Sequence, residues 1–386
     1  MGNNGRILRF CFVIFRYFPF GGLQRSMKNI ALACVRAGHG VTVYTTDWEG
    51  DPIAGVEVKQ LVVPRKPTRK RDRRFSKLFL QSVDSSAFDL IVGFNKVPGL
   101  DIYYSGDTCF AVKAHEKHDW FYRMTPRCRA AIALERAVFA KGLKTRILIV
   151  AEGQRADYKK YFHTEDHRFY LIPPGIARDH IAPAAREPYG KKLREELKID
   201  FPCRIVSMVA SNLSLKGYAR FLQAYLSLPD GLQSRTIMVL VGADPCIDEY
   251  RREITRLNLQ THVRFLGGRE DVPEILFGSD LLVHPAHREA TGNVLLEGAV
   301  AGLPVICSAV CGYSAYISRY SLGVVLPEPF EQKALNSALH GMLTDQLRMD
   351  AWKRSTREFS TNDEIFSRPK RVVQIFETVS REKRTL

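Results

Sequence analysis

The chain has 386 residues, 45% hydrophobic and 25% charged. That balance is ordinary for a globular protein and excludes a disordered or fibrous chain, while one core rarely grows beyond roughly 250–300 residues, so two domains are expected. No apolar run reaches the ~18–20 residues of a bilayer-spanning helix, and the formal net charge of +16 calls for an anionic partner: nucleic acid, a lipid surface or a phosphorylated substrate.

Ile7–Phe15 reads as a buried first strand. It is short, lacks a small-residue cleavage signature and runs into Tyr17-Phe18-Pro19-Phe20-Gly21-Gly22, so a signal peptide is not expected. Arg6 occupies the place where an N-myristoylation motif wants Ser or Thr. A helix from about Leu23 to Arg36 follows, ended by Gly38. Further strands are predicted at Val41–Thr46, Val56–Val63, Phe88–Phe94, Thr145–Ala151 and Arg168–Gly175. After a polar stretch, Arg178–Asp200, the pattern restarts with strands at Cys203–Ala210, Thr236–Ala243, Val263–Gly268, Asp280–Ala286 and Leu303–Val310, and helices between them. Strands alternating with helices predict an α/β chain of two doubly wound, parallel-sheet domains in tandem, joined near Pro173-Pro174-Gly175.

The eight cysteines form no Cys-x-x-Cys pair and lie in apolar contexts, which reads as reduced structural cysteine in a cytosolic protein without a metal cluster.

Ligands of open α/β sheets bind beyond the carboxyl ends of the strands, so the residues after each strand carry the information. After the first comes Gly21-Gly22, where a backbone can approach a ligand closely and helix-start amides attract anions; a tight turn is the bland alternative. The stretch Asn95–Asp107 holds Lys96, Asp101 and Asp107, either of whose aspartates could orient a hydroxyl or simply cap a helix. Lys216 follows the strand at 203–210 and sits at a helix start, where the dipole disfavours a cation; it is either a surface lysine or a phosphate ligand. Within His287–Pro304, Glu289 lies in a loop and Glu297 about one turn inside an apolar helix, with Thr291-Gly292-Asn293 between them. The amides at 292–294 are helix-start donors suited to a diphosphate, and each carboxylate can reach a hydroxyl-bearing group at one end of it. A buried carboxylate is costly unless paired, so Glu297 is expected to face a ligand.

The strand–Glu-x7-Glu–helix arrangement at 281–301 resembles the retaining glycosyltransferases of GT-B architecture, which use nucleotide-sugar donors. Gly21-Gly22, Arg36–Thr45 and Lys216-Gly217 fit the same group. From about Ile7 to Phe376 the chain is similar to the narrower family of lipopolysaccharide core glucosyltransferases, on Arg16–Arg25, Trp48–Asp51, Val92–Asp101, His284–Glu297 and Leu303–Tyr313. The resemblance implies two Rossmann-like domains facing across a cleft. These are an acceptor-binding domain at 1–175, a nucleotide-sugar domain at 176–369 and a segment at 370–386 crossing back to the first. It implies transfer of glucose from UDP-glucose to an inner-core heptose; UDP-galactose, GDP-mannose or another glycolipid acceptor are alternatives, and a basic lipid- or RNA-binding protein without catalysis a remote one. By the same resemblance Glu289 contacts the transferred sugar near its C3 and C4 hydroxyls and Glu297 the ribose. Lys216 and the amides of Gly292, Asn293 and Val294, beside Thr291, hold the diphosphate; Gly21 and Gly22 close over it; and Asp107 lies near the reacting carbon. Ser211 and Leu215 stand where the family carries an arginine beside the lysine, so Arg288 or Arg178 is expected to supply the second cation, and Ser26 stands where the group carries Asp.

No Asp-x-Asp motif occurs. A lysine and a helix N-terminus can stabilise the leaving diphosphate instead, so no metal or other cofactor is expected. The run Arg65–Lys77 has eight Lys/Arg and one acid, and Lys113–Arg129 interleaves Lys113, Lys117, Arg123, Arg127 and Arg129 with Trp120, Phe121, Tyr122 and Met124. Cations mixed with aromatics suit an interface with anionic lipid. The expectation is a cytoplasmic protein docked peripherally on the inner membrane, acting on a phosphorylated lipopolysaccharide acceptor, with no nucleic-acid partner.

Overall fold

In a computed structural model of the chain, residues 6–19, 21–63, 68–116 and 120–385 are described, with 68–70 as backbone alone. The chain divides into two compact units, 1–175 with 367–386, and 176–366.

The first unit is a seven-stranded parallel sheet. In chain order its strands are β1 (Arg9–Val13), β2 (Gly40–Thr45), β3 (Val56–Gln60), β4 (Leu90–Gly93), β5 (Ile102–Ser105), β6 (Arg146–Ile149) and β7 (Phe169–Leu171), and across the sheet they run β3-β2-β1-β4-β5-β6-β7. Central strands of such a sheet are buried on both faces, which is why β1 reads as a continuous apolar run. Phe10 and Phe12 pack on one face with Met27 and Ile30 of the helix Gly22–Arg36 and with Val372 and Phe376. Cys11 and Val13 pack on the other with Phe75, Phe79, Val138 and Phe139. Two-residue strands, Arg16–Tyr17 and Asp47–Trp48, form a separate ribbon held by a Tyr17–Trp48 stack at 4.0 Å.

The second unit is a six-stranded parallel sheet: β8 (Arg204–Val209), β9 (Thr236–Val241), β10 (Val263–Gly267), β11 (Leu281–His284), β12 (Val305–Ser308) and β13 (Gly323–Leu326), in the order β10-β9-β8-β11-β12-β13. Val206 and Met208 face Tyr218, Phe221 and Leu335 on one side, and Ile205 meets Leu193 and Ile275 on the other. In both units the strand order reverses beside the first strand, between β1 and β4 and between β8 and β11. Open α/β sheets bind ligands at that switch point, beyond the carboxyl ends.

Three expectations are corrected. The stretch 95–107 is not one loop, because it contains β5, a fully buried strand pairing β4 and β6. The edge strand β13 was not foreseen. The return to the first unit starts at Ser367 rather than at 370, since Arg368 is already held by the Tyr104 hydroxyl at 3.0 Å and the Pro173 carbonyl at 2.8 Å.

Candidate functional site

At the switch point of the second unit the loops leaving β8 and β11 are tied together. His287 N donates to the Leu215 carbonyl, and Arg220 Nη1 donates to the carbonyls of Pro285 and Ala286, each at 3.0 Å. Gly217 makes the approach possible: it has φ +91°, and a Cβ there would lie 2.2 Å from the Pro285 oxygen, a position no other residue occupies without strain.

This closeness sets Lys216 against the β11 loop. Its Nζ is 2.8 Å from Glu289 Oε2 and donates to the Arg288 carbonyl at 3.2 Å. His284, at the last position of β11 and almost fully buried, places Nε2 3.2 Å from the same carboxylate oxygen. Burial opposes the charge of Glu289, but the His284 hydrogen bond and the Lys216 charge outweigh it, and its carboxyl group is pulled down to about 2. Nδ1 of His284 is buried with no hydrogen-bond partner.

Gly292, at φ +79°, starts the helix Asn293–Val300. A Cβ on it would come within 3.3 Å of Glu289 Cγ. The carbonyl of Thr291 accepts from Tyr313 N at 2.8 Å, which fixes the turn. The first-turn amides of Asn293 and Val294 have no intrahelical acceptor. Asn293 Oδ1 is buried and unpartnered. Glu297 is only 8% exposed, and among the described residues none hydrogen-bonds its carboxylate. An apolar helix thus carries a carboxylate whose acceptor capacity is unused, an arrangement costly without a ligand. Of the two candidates for a second cation, Arg178 pairs with Asp363 at 2.5 Å and packs on the Phe366 ring, and the backbone carbonyl of Arg288 accepts from Lys216 Nζ.

In the first unit Gly21 caps and Gly22 opens the helix Gly22–Arg36 at the carboxyl edge of β1. A Cβ on Gly21 would collide with Gln24 Oε1, and one on Gly22 would meet nothing within 4 Å. Asp107 is exposed, just past the carboxyl end of β5, and its carbonyl accepts from Gln154 Nε2 at 3.0 Å.

Lys96, a candidate acceptor or membrane contact, has its Nζ 2.8 Å from Glu135 Oε1, inside the fold. Burial pulls its ammonium down, and Tyr158, Glu135 and Asp107 more than offset this, so its pKa lies above the ordinary lysine value. Glu135, 1% exposed, also accepts from the amides of Phe110 and Ala111 at 2.7 and 2.9 Å, and so joins the loop after β4 to the one after β5. Asp101 is also engaged within the fold. It precedes β5, at the amino end of the sheet, where it accepts from Ile91 N and Lys383 Nζ, each at 2.8 Å.

Neither His284 nor Glu135 stood out in the sequence. A histidine ending an apolar strand reads as core, and an acid in Pro126–Phe139 reads as a solvated helix face.

Of the basic–aromatic run, Trp120 (57% exposed), Phe121 (65%) and Met124 (55%) lie on the surface, with the two rings stacked at 4.0 Å. Arg127 and Arg129 are exposed, Lys113 half-buried, and Arg123 Nη1 bonds His115 Nδ1 at 3.1 Å. Lys117 lies outside the described residues, as do 65–67 of the other basic run. Among the described residues no helix is long and apolar enough to cross a membrane.

Residues 191–359 match the family described as "Glycosyl transferases group 1", and residues 20–180 match "Glycosyltransferase Family 4". The chain is 37% identical over 373 residues to the lipopolysaccharide glucosyltransferase WaaG of Escherichia coli (strain K12), covering 96% of this chain and 98% of that one. A crystal structure of WaaG, described as a glycosyltransferase involved in lipopolysaccharide biosynthesis, superposes with a TM-score of 0.89 at 37% identity, covering 95% and 99%. The Anabaena protein HepE, solved in complex with UDP-glucose, has the same fold at a TM-score of 0.72 and 17% identity, covering 98% and 100%. The two Rossmann-like α/β units are therefore those of a GT-B fold. The chain belongs to the glycosyltransferase family that includes this lipopolysaccharide glucosyltransferase.

Proposed function

We propose that the protein is a retaining, metal-independent glucosyltransferase that moves glucose from UDP-glucose onto an inner-core heptose of lipopolysaccharide, at the cytoplasmic face of the inner membrane. The observation that carries this is the second unit's switch point. There a lysine, a strongly ionised carboxylate, unpaired helix-start amides and an unpartnered buried carboxylate lie on two adjoining loops and one helix. The name of the Escherichia coli relative and the ligand of the HepE structure support the choice of acceptor and donor.

On this reading Lys216 and the amides of Gly292, Asn293 and Val294, beside Thr291, take the diphosphate, with Arg288 the second cation. Glu289 accepts from the C3 and C4 hydroxyls of the sugar, and Glu297 from the ribose hydroxyls. The Lys216–Glu289 ion pair holds the ammonium where it can also meet the β-phosphate, since an ammonium carries three donors. As the glycosidic bond breaks, charge collects on the β-phosphate, where Lys216 and the helix start stabilise it without a metal. The acceptor oxygen bonds to the anomeric carbon from the face the phosphate leaves and gives its proton to the departing phosphate oxygen, which keeps the anomeric configuration. Gly21-Gly22 and Asp107 contribute from the first unit, the latter near the reacting carbon. The exposed Trp120, Phe121 and Met124, with Lys113, Lys117, Arg127 and Arg129, dock the protein on anionic lipid.

The test is transfer to a heptose-terminated core acceptor with UDP-glucose, UDP-galactose and GDP-mannose, each with and without EDTA. UDP-glucose should be preferred and EDTA without effect. Preference for another donor, or loss of activity on chelation, overturns the corresponding part.

A further inference from the structure

At the amino edge of the second unit's sheet, opposite the edge that carries Lys216 and Glu289, lies a cavity of about 620 Å³ lined by Arg186, Arg194, Asp280, Lys353, Arg357 and Ser360 among others. Such a volume suits a small molecule.

Two of its four cations are consumed by the fold. Arg186 donates to the carbonyls of Leu276, Phe277, Ser279 and Gly302, and Arg194 to those of Gly190 and Cys203. The other two are not: among the described residues neither Lys353 nor Arg357 has a side-chain hydrogen bond or ion pair. They stand four residues apart on the helix Gln346–Ser360, hence on one face, where like charges repel. The helix dipole favours a cation in the last turn, which covers Arg357 but not Lys353, two turns from the end. Burial pulls the Lys353 ammonium below its ordinary value; Asp280 opposes this, and Arg204 and Arg186 add to it. Lys353 is half-buried and Arg357 exposed at the mouth of the cavity; the Asp280 carboxylate in the same lining offsets part of the burial of Lys353 without pairing with it, which leaves both cations able to take an entering anion.

We propose that this cavity is a second anion site, separate from the donor site, which takes the phosphate or diphosphate group of a small molecule on Lys353 and Arg357. A guanidinium fork matches two phosphate oxygens and the ammonium supplies a point charge.

The experiment is lysine NMR on the ¹³C-dimethylated full chain, titrated with pyrophosphate and, separately, with chloride at matched ionic strength. Pyrophosphate should shift the Lys353 signal and raise its titration midpoint, and chloride should not. A signal that stays put, or moves equally with chloride, overturns the proposal. Calorimetry then assigns the site. Lys353→Gln/Arg357→Gln should weaken one class of pyrophosphate binding by about tenfold or more, and Lys216→Ala should leave that class intact. Loss of that class in Lys216→Ala, or of neither class in the double variant, overturns it. So does a double variant that loses binding to anionic vesicles while keeping pyrophosphate, which would make the cavity a lipid-surface contact. Because no readout is glycosyl transfer, failure here is distinct from failure of the proposed reaction.

Discussion

Glu289 gathers most of the chemistry at the scale of single residues. Lys216 and His284 meet on one of its oxygens, and the ammonium, with three donors, can hold that oxygen and a diphosphate together. His284 keeps the carboxylate aimed. Replacing Lys216 or Glu289 by Ala should lower turnover at least ~100-fold, the scale of losing one charge-stabilising group; near-normal initial rates would reject the assignment. His284→Ala should act through Glu289, relaxing the preference for UDP-glucose over its C4 epimer while leaving the Kd for UDP, which has no sugar, unchanged. His284→Gln, whose amide reaches the place of Nε2, should restore the preference. An altered UDP affinity would instead mark a merely structural histidine.

Glu289 also makes stability depend on pH. Its carboxyl group lies near 2 in the fold against an ordinary 4.5. A group lower in the folded than in the unfolded state contributes stability above the unfolded value, lost as pH falls toward the folded one. Urea unfolding between pH 4.5 and 2 should fall less steeply for Glu289→Gln than for the unaltered protein. Glu297 and Lys216 were legible because a carboxylate in an apolar helix and a lysine at a helix start are electrostatically odd, and Glu289 because it is the second carboxylate flanking the same glycine turn. His284 was not, because a histidine ending a buried apolar strand reads as core, and Glu135 was not, because its partner Lys96 lies in a distant segment.

Among elements, the strands that escaped notice are short. β5 has four residues between Asp101 and Gly106, and those polar neighbours make the whole stretch resemble a loop, so Asp101 and Asp107 looked alike although they end opposite edges of the sheet. The long apolar strands β1, β8 and β9 were plain because both faces are buried. What no strand pattern contains is the contact between loops. Gly217 against Pro285 sets the Lys216–Glu289 distance, so Gly217→Ala should cost ~1–3 kcal/mol, the scale of enforced backbone strain, and weaken UDP binding as well. Urea denaturation and calorimetry measure the two; an unchanged midpoint would show that the loops tolerate separation. The helix Trp120–Met124 carries a separate prediction. Trp120→Ala/Phe121→Ala should lose binding to anionic vesicles while keeping its secondary structure by circular dichroism. Equal sedimentation of the unaltered protein with neutral vesicles would remove the membrane reading.

For the whole molecule, the order of the chain decides which pieces can exist alone. The second unit is continuous, 176–366, and the first is not: it is completed by 367–386. The last helix, Arg368–Thr385, buries Val372, Val373, Ile375, Phe376 and Val379 in the first unit's core, with Phe376 5.3 Å from the Phe10 ring. Lys383 and Arg384 pair with Asp101 and Asp89. At roughly 1.5–3 kcal/mol for each large apolar side chain, that helix contributes as much as the ~5–15 kcal/mol net stability of a typical domain. The exposed ion pairs add little. A fragment of residues 1–175 should therefore aggregate or stay unfolded. The same fragment joined by a flexible linker to 367–386 should fold, and 176–366 should unfold cooperatively by itself and bind UDP. Thermal melts with circular dichroism on the three fragments check this. A cooperative melt from 1–175 alone would show that the returning helix is dispensable and that the unit's stability lies in its sheet.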